Sequence, residues 1–214
     1  MRPERLVVVA GTGTEIGKTY VAVKVAESLR DAGVTVAARK PAQSFVPGER
    51  TDAHLLAAAT GEDPHGVCPA HRWYEVPMAP PMAAAALGRT PFTIADLTAE
   101  IDTSWPTPPA AVGLVELAGG PRSPIAADGD GADLASAIDP DVSVLVADAG
   151  LGTINAVRLS ASVLPPVWVL LNRYDETEDL HARNASWLRD HGFAVMTDPR
   201  VLAAAIRVGE SPST

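Results

Sequence analysis

"RLVVVAGTGTEIGKTYVAVKVAESLRDAG", residues 5–33, decides the fold. Leu6–Ala10 is a short apolar run without alternation, as expected of a strand buried on both faces. Gly17–Ala32 reads as an amphipathic helix, and Gly33 as the glycine that ends it. Between them, "GTGTEIGKT" (11–19) has the makings of a loop whose backbone N–H groups cradle phosphates at a helix N-terminus. The P-loop pattern places Gly six residues before its Lys. Here Thr12 holds that place, with Gly11 one residue earlier and Gly13 one later. Lys18 is expected to hold the β and γ phosphates of a nucleoside triphosphate, and the Thr19 hydroxyl to ligate magnesium. The expected ATP-binding stretch is Gly13, Thr14, Glu15, Ile16, Gly17, Lys18, Thr19 and Tyr20. A Gly-rich turn that binds nothing is the bland alternative, and Gly-Lys-Thr between strand and helix speaks against it.

The alternation continues outward. Strand-like runs recur at Val34–Ala38, Val112–Leu117, Val142–Ala147, Val167–Leu171 and, weakly, Phe193–Met196. Helix-like stretches lie between them at Asp52–Thr60, Met78–Leu87, Thr93–Ile101, Thr153–Val163 and Asp179–His191, the last closed by Gly192. Strand alternating with helix predicts parallel strands joined by right-handed crossovers. The expected class is therefore α/β, a doubly wound, mostly parallel sheet of P-loop NTPase type, with residues 1–214 forming one ATP-binding domain. The proline-rich breaks at 105–109 and 77–81 read as loops inside it. "ADGDGAD" (127–133) lacks calcium-loop spacing and reads as a surface turn leading into a helix.

Composition narrows the partners. The net charge is −9 and the pI about 4.9, which argues against nucleic acid or an anionic membrane as partner. Cys68 is alone, so neither an intrachain disulfide nor a multi-cysteine metal site is expected. "MRPERL" leads straight into the first strand, and no apolar run reaches the length of a membrane-spanning helix, so a soluble cytoplasmic protein is expected. Lysine is scarce: only Lys18, Lys24 and Lys40 stand among 17 basic residues. A lysine offers a compact point charge that arginine's planar fork does not reproduce.

Lys40, in "AARKPAQSF" (37–45), follows the second strand and so sits at the sheet edge where open α/β folds place ligands. In "VGLVELAGG" (112–120), Glu116 ends a buried strand and is a candidate magnesium-orienting carboxylate. Asp52 is a second, although a helix N-terminal acid that complements the dipole would look the same. "GLGTINA" (150–156) opens a helix whose N–H groups could receive a carboxylate or phosphate. Asn172 closes a strand, either as a turn residue or to read a base edge. The histidines show no metal spacing, and no Ser–His–Asp or Cys–His arrangement suggests a nucleophile.

Taken together, GT-x-T-x-I-GKT, the KP-x-x-S lysine, Glu-x-Ala-Gly-Gly, Leu-Gly-x-Ile-Asn and the strand-ending Asn resemble dethiobiotin synthetase, in order and interval, over roughly residues 5–175. That family's loop carries one extra residue, which accounts for Gly11. The resemblance implies joining of CO2 to 7,8-diaminononanoate and closure of a cyclic urea with ATP and Mg2+. A carbamate would form, take the γ-phosphoryl group, and be attacked by the second amine. It further implies that Lys18 and Lys40 flank the carbamate and that Thr14 and Ser44 contact diamine or carbamate. Thr19, Asp52 and Glu116 would hold magnesium and Asn172 would meet adenine. A homodimer is implied, in which Gly152, Thr153, Ile154 and Asn155 receive the substrate carboxylate of the neighbouring subunit.

Departures from the family pattern fall on the substrate side. Phe45 follows Ser44 where a glycine is usual, Leu117 stands for a glycine, "APP" (79–81) replaces a frequent Ser-Pro-His, and Ala156 replaces a histidine. These leave open a divergent ATP-dependent ligase on another amine or carboxylate. A nucleotide-switched, partner-binding ATPase is the other alternative. Such switches carry a second lysine in the loop where this chain has Gly13.

Overall fold

The computed structural model describes residues 1–164 and 167–209. Its centre is a six-stranded, wholly parallel sheet. In chain order the strands are β1 (Arg5–Gly11), β2 (Val36–Arg39), β3 (Val112–Glu116), β4 (Val142–Asp148), β5 (Val167–Asn172) and β6 (Ala194–Met196). Their spatial order is β6-β5-β4-β1-β3-β2. The chain winds one way from β1 through β2 and β3, then crosses to the other side of β1 and winds on through β6. Where that winding reverses, the crossover connections leave in opposite directions and open a crevice at the carboxyl ends of the strands.

Successive residues of a strand point to opposite faces, so each strand feeds two cores. Leu6, Val8 and Ala10 of β1 join Val115, Leu145, Ala147, Val169 and Leu171 on one face. Val7 and Val9 join Leu114, Val144, Val146 and Leu170 on the other. Both sets are apolar, which is why the strands read as continuous apolar runs. The second face is covered by α1 (Lys18–Asp31), α2 (Asp52–Thr60) and a C-terminal helix (Pro199–Val208) through Val21, Val25, Leu29, Leu56, Leu202 and Ile206. The first is covered through Leu97, Leu134, Ile138, Val157 and Leu188, from helices Ile94–Ser104, Gly131–Ile138, Thr153–Ala161 and Asp179–Asp190. No helix among the described residues is long and apolar enough to cross a membrane.

Several boundaries differ from the sequence expectation for local reasons. β2 begins at Val36, not Val34, because the Val34 and Gly33 N–H groups close α1 by bonding the Leu29 and Arg30 carbonyls. The helix expected over Met78–Leu87 is Pro80–Ala86. Proline at its first position pushes the preceding Ala79 into extended backbone. The helix expected to reach Val163 stops at Ala161. In "ADGDGAD", Gly129–Asp130 pairs antiparallel with Pro124–Ala126, and the Asp130 carboxylate then caps Gly131–Ile138 by accepting from the Ala132 and Asp133 N–H groups. Such a cap is worth about 1 kcal/mol.

Candidate active site

The residues singled out at the ends of β1, β2 and β3 arrive at one cleft, and Asn172 of β5 lines a depression that adjoins it at Gly17. β1 delivers the loop 12–17, β2 delivers Lys40, β3 delivers Glu116 and β5 delivers Asn172. Gly11 is needed because the aliphatic stem of Lys18 passes it: a Cβ there would lie 2.8 Å from Lys18 Cδ and 2.7 Å from Ile16 Cδ1. Gly17 has φ 90, and a Cβ there would meet Asn172 Nδ2 at 2.1 Å. The glycines thus let the loop fold tightly over its own lysine and against β5.

Lys18 curls back so that its ammonium donates to the Gly13 carbonyl at 2.7 Å. Burial, and then the neighbouring Lys40 charge, lower its pKa to about 8. Below that pH the ammonium is present. Above it, an arriving phosphate must first restore the proton. Affinity for a non-hydrolysable Mg–ATP analogue should be flat from pH 7 to about 8, then weaken by up to about tenfold per pH unit. Calorimetry in two buffers of different ionisation heat checks this by counting the protons taken up, and constant affinity to pH 9.5 would contradict it.

Beside the loop, Lys40, Thr19, Asp52 and Glu116 form a compact knot. Lys40 Nζ lies 2.7 Å from Asp52 Oδ2 and 2.6 Å from Glu116 Oε1. The Thr19 hydroxyl lies 2.9 Å from Asp52 Oδ1 and 2.9 Å from Glu116 Oε1, and can donate its one proton to either. Strand alternation explains the aim of Lys40. Its neighbour Arg39 points the other way, to Glu62, Ser104 and the Trp105 ring. Burial opposes the Lys40 charge, but Glu116 and Asp52 outweigh it and hold the ammonium above its ordinary pKa. The same ammonium depresses Asp52. Burial lifts Glu116 upward, with Lys40 pulling against it.

The knot suits a hard divalent cation. Its donors are a hydroxyl and two carboxylates, all oxygen, and Glu116 Oε2 is buried with no partner. Among the described residues no group of three or more His, Cys, Asp or Glu gathers anywhere. A cation here would therefore keep waters and phosphate oxygens in its shell, as magnesium does in nucleotide sites.

Thr14, Ser44, Lys40 and Glu116 border a cleft of about 670 Å³, which Met78–Pro80 and Ser123–Pro124 also line. The Ser44 hydroxyl donates to the Met78 carbonyl, which leaves its lone pairs to accept from an amine. Gln43 also borders this cleft, a residue the motif reading passed over. Its Oε1 accepts from the Ala53 N–H at 3.1 Å, and the segment is held by parallel pairing of Gln43–Ser44 with Trp73–Tyr74.

A second depression of about 430 Å³ lies across Gly17, lined by Tyr20, Asn172, Arg173, Tyr174, Thr197 and Pro199. Asn172 donates one Nδ2 proton to the Ile16 carbonyl at 2.8 Å, which ties its amide to the loop and leaves Oδ1 and the second N–H for a ligand. Arg173, Tyr174, Thr197 and Pro199 carry no motif, and only the fold brings them here.

The substrate-side departures mostly turn away from the cleft. Phe45 packs edge-on against Trp73, ring centroids 5.8 Å apart, and Leu117 is core at 1 % exposure. Ala79, from the "APP" stretch, does border the cleft. Gly152, Thr153, Ile154 and Asn155 do not. They begin the helix after β4, next to Leu151, which is 93 % exposed.

Comparison with known proteins agrees with this geometry. A family model described as an AAA domain matches residues 5–179. The chain is 39 % identical over 179 residues to the ATP-dependent dethiobiotin synthetase BioD of Anaeromyxobacter dehalogenans, covering 80 % of this chain and 78 % of that protein. It is 41 % identical over 161 residues to the enzyme of the same name from Streptomyces coelicolor, covering 74 % and 65 %. Among solved structures, chloroplast FtsY from Physcomitrella patens superimposes with a TM-score of 0.56 at 16 % identity, over 96 % of this chain and 65 % of that one. A plasmid partition protein from Borrelia burgdorferi does so with a TM-score of 0.55 at 10 % identity, over 96 % of both chains. Those two share the fold alone. By the sequence relatives, the chain belongs to the dethiobiotin synthetase family.

Proposed function

We propose that this protein is an ATP-dependent dethiobiotin synthetase, acting in the cytoplasm as a homodimer. The observation that carries the reading is the convergence of two lysines, Lys18 and Lys40, on one cleft beside a Thr–Asp–Glu oxygen set, in a chain of this family.

The chemistry asks the protein for no nucleophile, because the diamine supplies both. What it needs is positive charge where negative charge accumulates, and fixed geometry. A carbamate in the cleft would be flanked by Lys18 and Lys40, which neutralise it as phosphate approaches. Thr14 and Ser44 would orient the diamine, Ser44 by accepting an amine N–H. Thr19, Asp52 and Glu116 would hold Mg2+, whose part is to offset phosphate charge. The Ile16 and Gly17 N–H groups would bind phosphate oxygens. Asn172 would meet adenine, its Oδ1 accepting from the exocyclic amino group. Gly152–Asn155 would serve the neighbouring subunit's substrate, and exposed Leu151 and Leu159 support a covering partner there.

The test is phosphate release with Mg–ATP and bicarbonate, with and without 7,8-diaminononanoate. Release should rise at least about tenfold with the diamine, with one dethiobiotin formed per phosphate. Hydrolysis indifferent to the diamine would refute the reading.

A further inference from the structure

The phosphate loop contains a residue that pays a conformational penalty. Glu15 has φ 60, a left-handed backbone that non-glycine residues rarely adopt. Arg173, at the end of β5, has φ 56, and the two touch: Arg173 Nη2 donates to the Glu15 carbonyl at 2.8 Å. The other arm of the guanidinium, Nη1, lies 3.1 Å from Asp148 Oδ2 at the end of β4. Asp148 is itself held, its Oδ1 accepting from the Gly150 N–H at 2.9 Å. One residue away, Asn172 Nδ2 holds the Ile16 carbonyl at 2.8 Å. Two consecutive loop carbonyls are thus drawn outward by two consecutive residues, Asn172 that ends β5 and Arg173 that follows it.

A trans peptide points its N–H opposite to its C=O. Drawing out the Glu15 and Ile16 carbonyls therefore turns the N–H groups of Ile16 and Gly17 inward, and among the described residues neither N–H has a partner. Inward-facing successive N–H groups are what a phosphate requires. We infer that Arg173, braced by Asp148, is a positioning residue that holds the phosphate loop in its binding conformation. Its fork suits the task, since one arm reaches the carbonyl while the other is anchored. This inference rests on reading the loop as the triphosphate site.

Direct binding of a non-hydrolysable Mg–ATP analogue, with no diamine present, tests it. Arg173→Ala should weaken binding about tenfold with the nucleotide-free thermal midpoint unchanged within a few degrees. Arg173→Gly relaxes the local backbone yet removes the fork, so it should lose as much. Arg173→Lys keeps charge but cannot serve both partners, so it should recover only part, and Asp148→Asn should lie between. In turnover, KM for ATP should rise more than kcat falls. Affinities within twofold of the parent for Ala and Gly would overturn the inference, as would full recovery by Lys, which would mean simple charge attraction. A parent protein that binds no nucleotide would instead sink the reading of the loop, a separate failure.

Discussion

Replacing Lys40 by Met should lower diamine-dependent turnover by about 10²–10³-fold while affinity for Mg–ATP changes only a few-fold. The magnitude is that of removing one preorganised charge or donor aimed at the reacting group in a water-poor site. The split follows from position. Lys18 belongs to the loop that binds phosphate, whereas Lys40 arrives from another strand and contacts Asp52 and Glu116. Single-turnover kinetics beside direct nucleotide binding would check it. Collapse of ATP binding with a normal residual rate would place Lys40 on the nucleotide instead. A second consequence concerns the two carboxylates. Lys40 now bridges them at 2.7 Å and 2.6 Å, where a divalent cation would also draw them together. Without the ammonium they repel, so Mn2+ alone should raise the thermal midpoint of the Met variant more than that of the parent.

Glu116→Ala should be the most damaging single change to the site, because it acts on stability and chemistry together. Glu116 is 1 % exposed and Lys40 2 % exposed, so removing the carboxylate leaves an ammonium in the interior with Asp52 as its remaining ion-pair partner. Breaking a buried pair from one side costs about 3–5 kcal/mol. For a chain of this size that lowers the midpoint by roughly 10 °C. Turnover should fall at least about 100-fold as one of the oxygens proposed for magnesium is lost. Glu116→Gln keeps the volume and an acceptor for Lys40, so it should recover most of the stability but little of the activity. Equal loss of both in the Gln variant would reduce Glu116 to a structural residue.

The phosphate loop was legible because its requirements are local. Gly11, Gly17, Lys18 and Thr19 sit at spacings that one strand–turn–helix unit imposes, and the strand runs were apolar on both faces because both faces are covered. The C-terminal helix Pro199–Val208 was missed, although Asp198 before Pro199 and Gly209 after Val208 are ordinary start and stop signals. It lies beyond the region of resemblance, and its short alanine-rich turn pattern draws less notice than the strands. Gln43 was passed over because its role depends on the Ala53 N–H, a partner ten residues away that no spacing rule links to it. Arg173 was passed over for a similar reason. An arginine after a strand looks like a surface residue until the loop, 158 residues earlier in the chain, is set beside it.

By itself, then, the sequence determined the layered α/β arrangement, the loop that receives phosphate, and the residue types available at the strand ends. Periodicity, glycine placement and short-range spacing are properties of contiguous chain and survive without coordinates. The tertiary structure alone decided that Lys40 lies between Asp52 and Glu116, that Asn172 ties one amide N–H to the loop, and that Phe45 and Leu117 turn away from the cleft. Those outcomes depend on strand order. Only when β2, β3, β4 and β5 are ranged on either side of β1 do side chains far apart in sequence come within hydrogen-bond distance of one another.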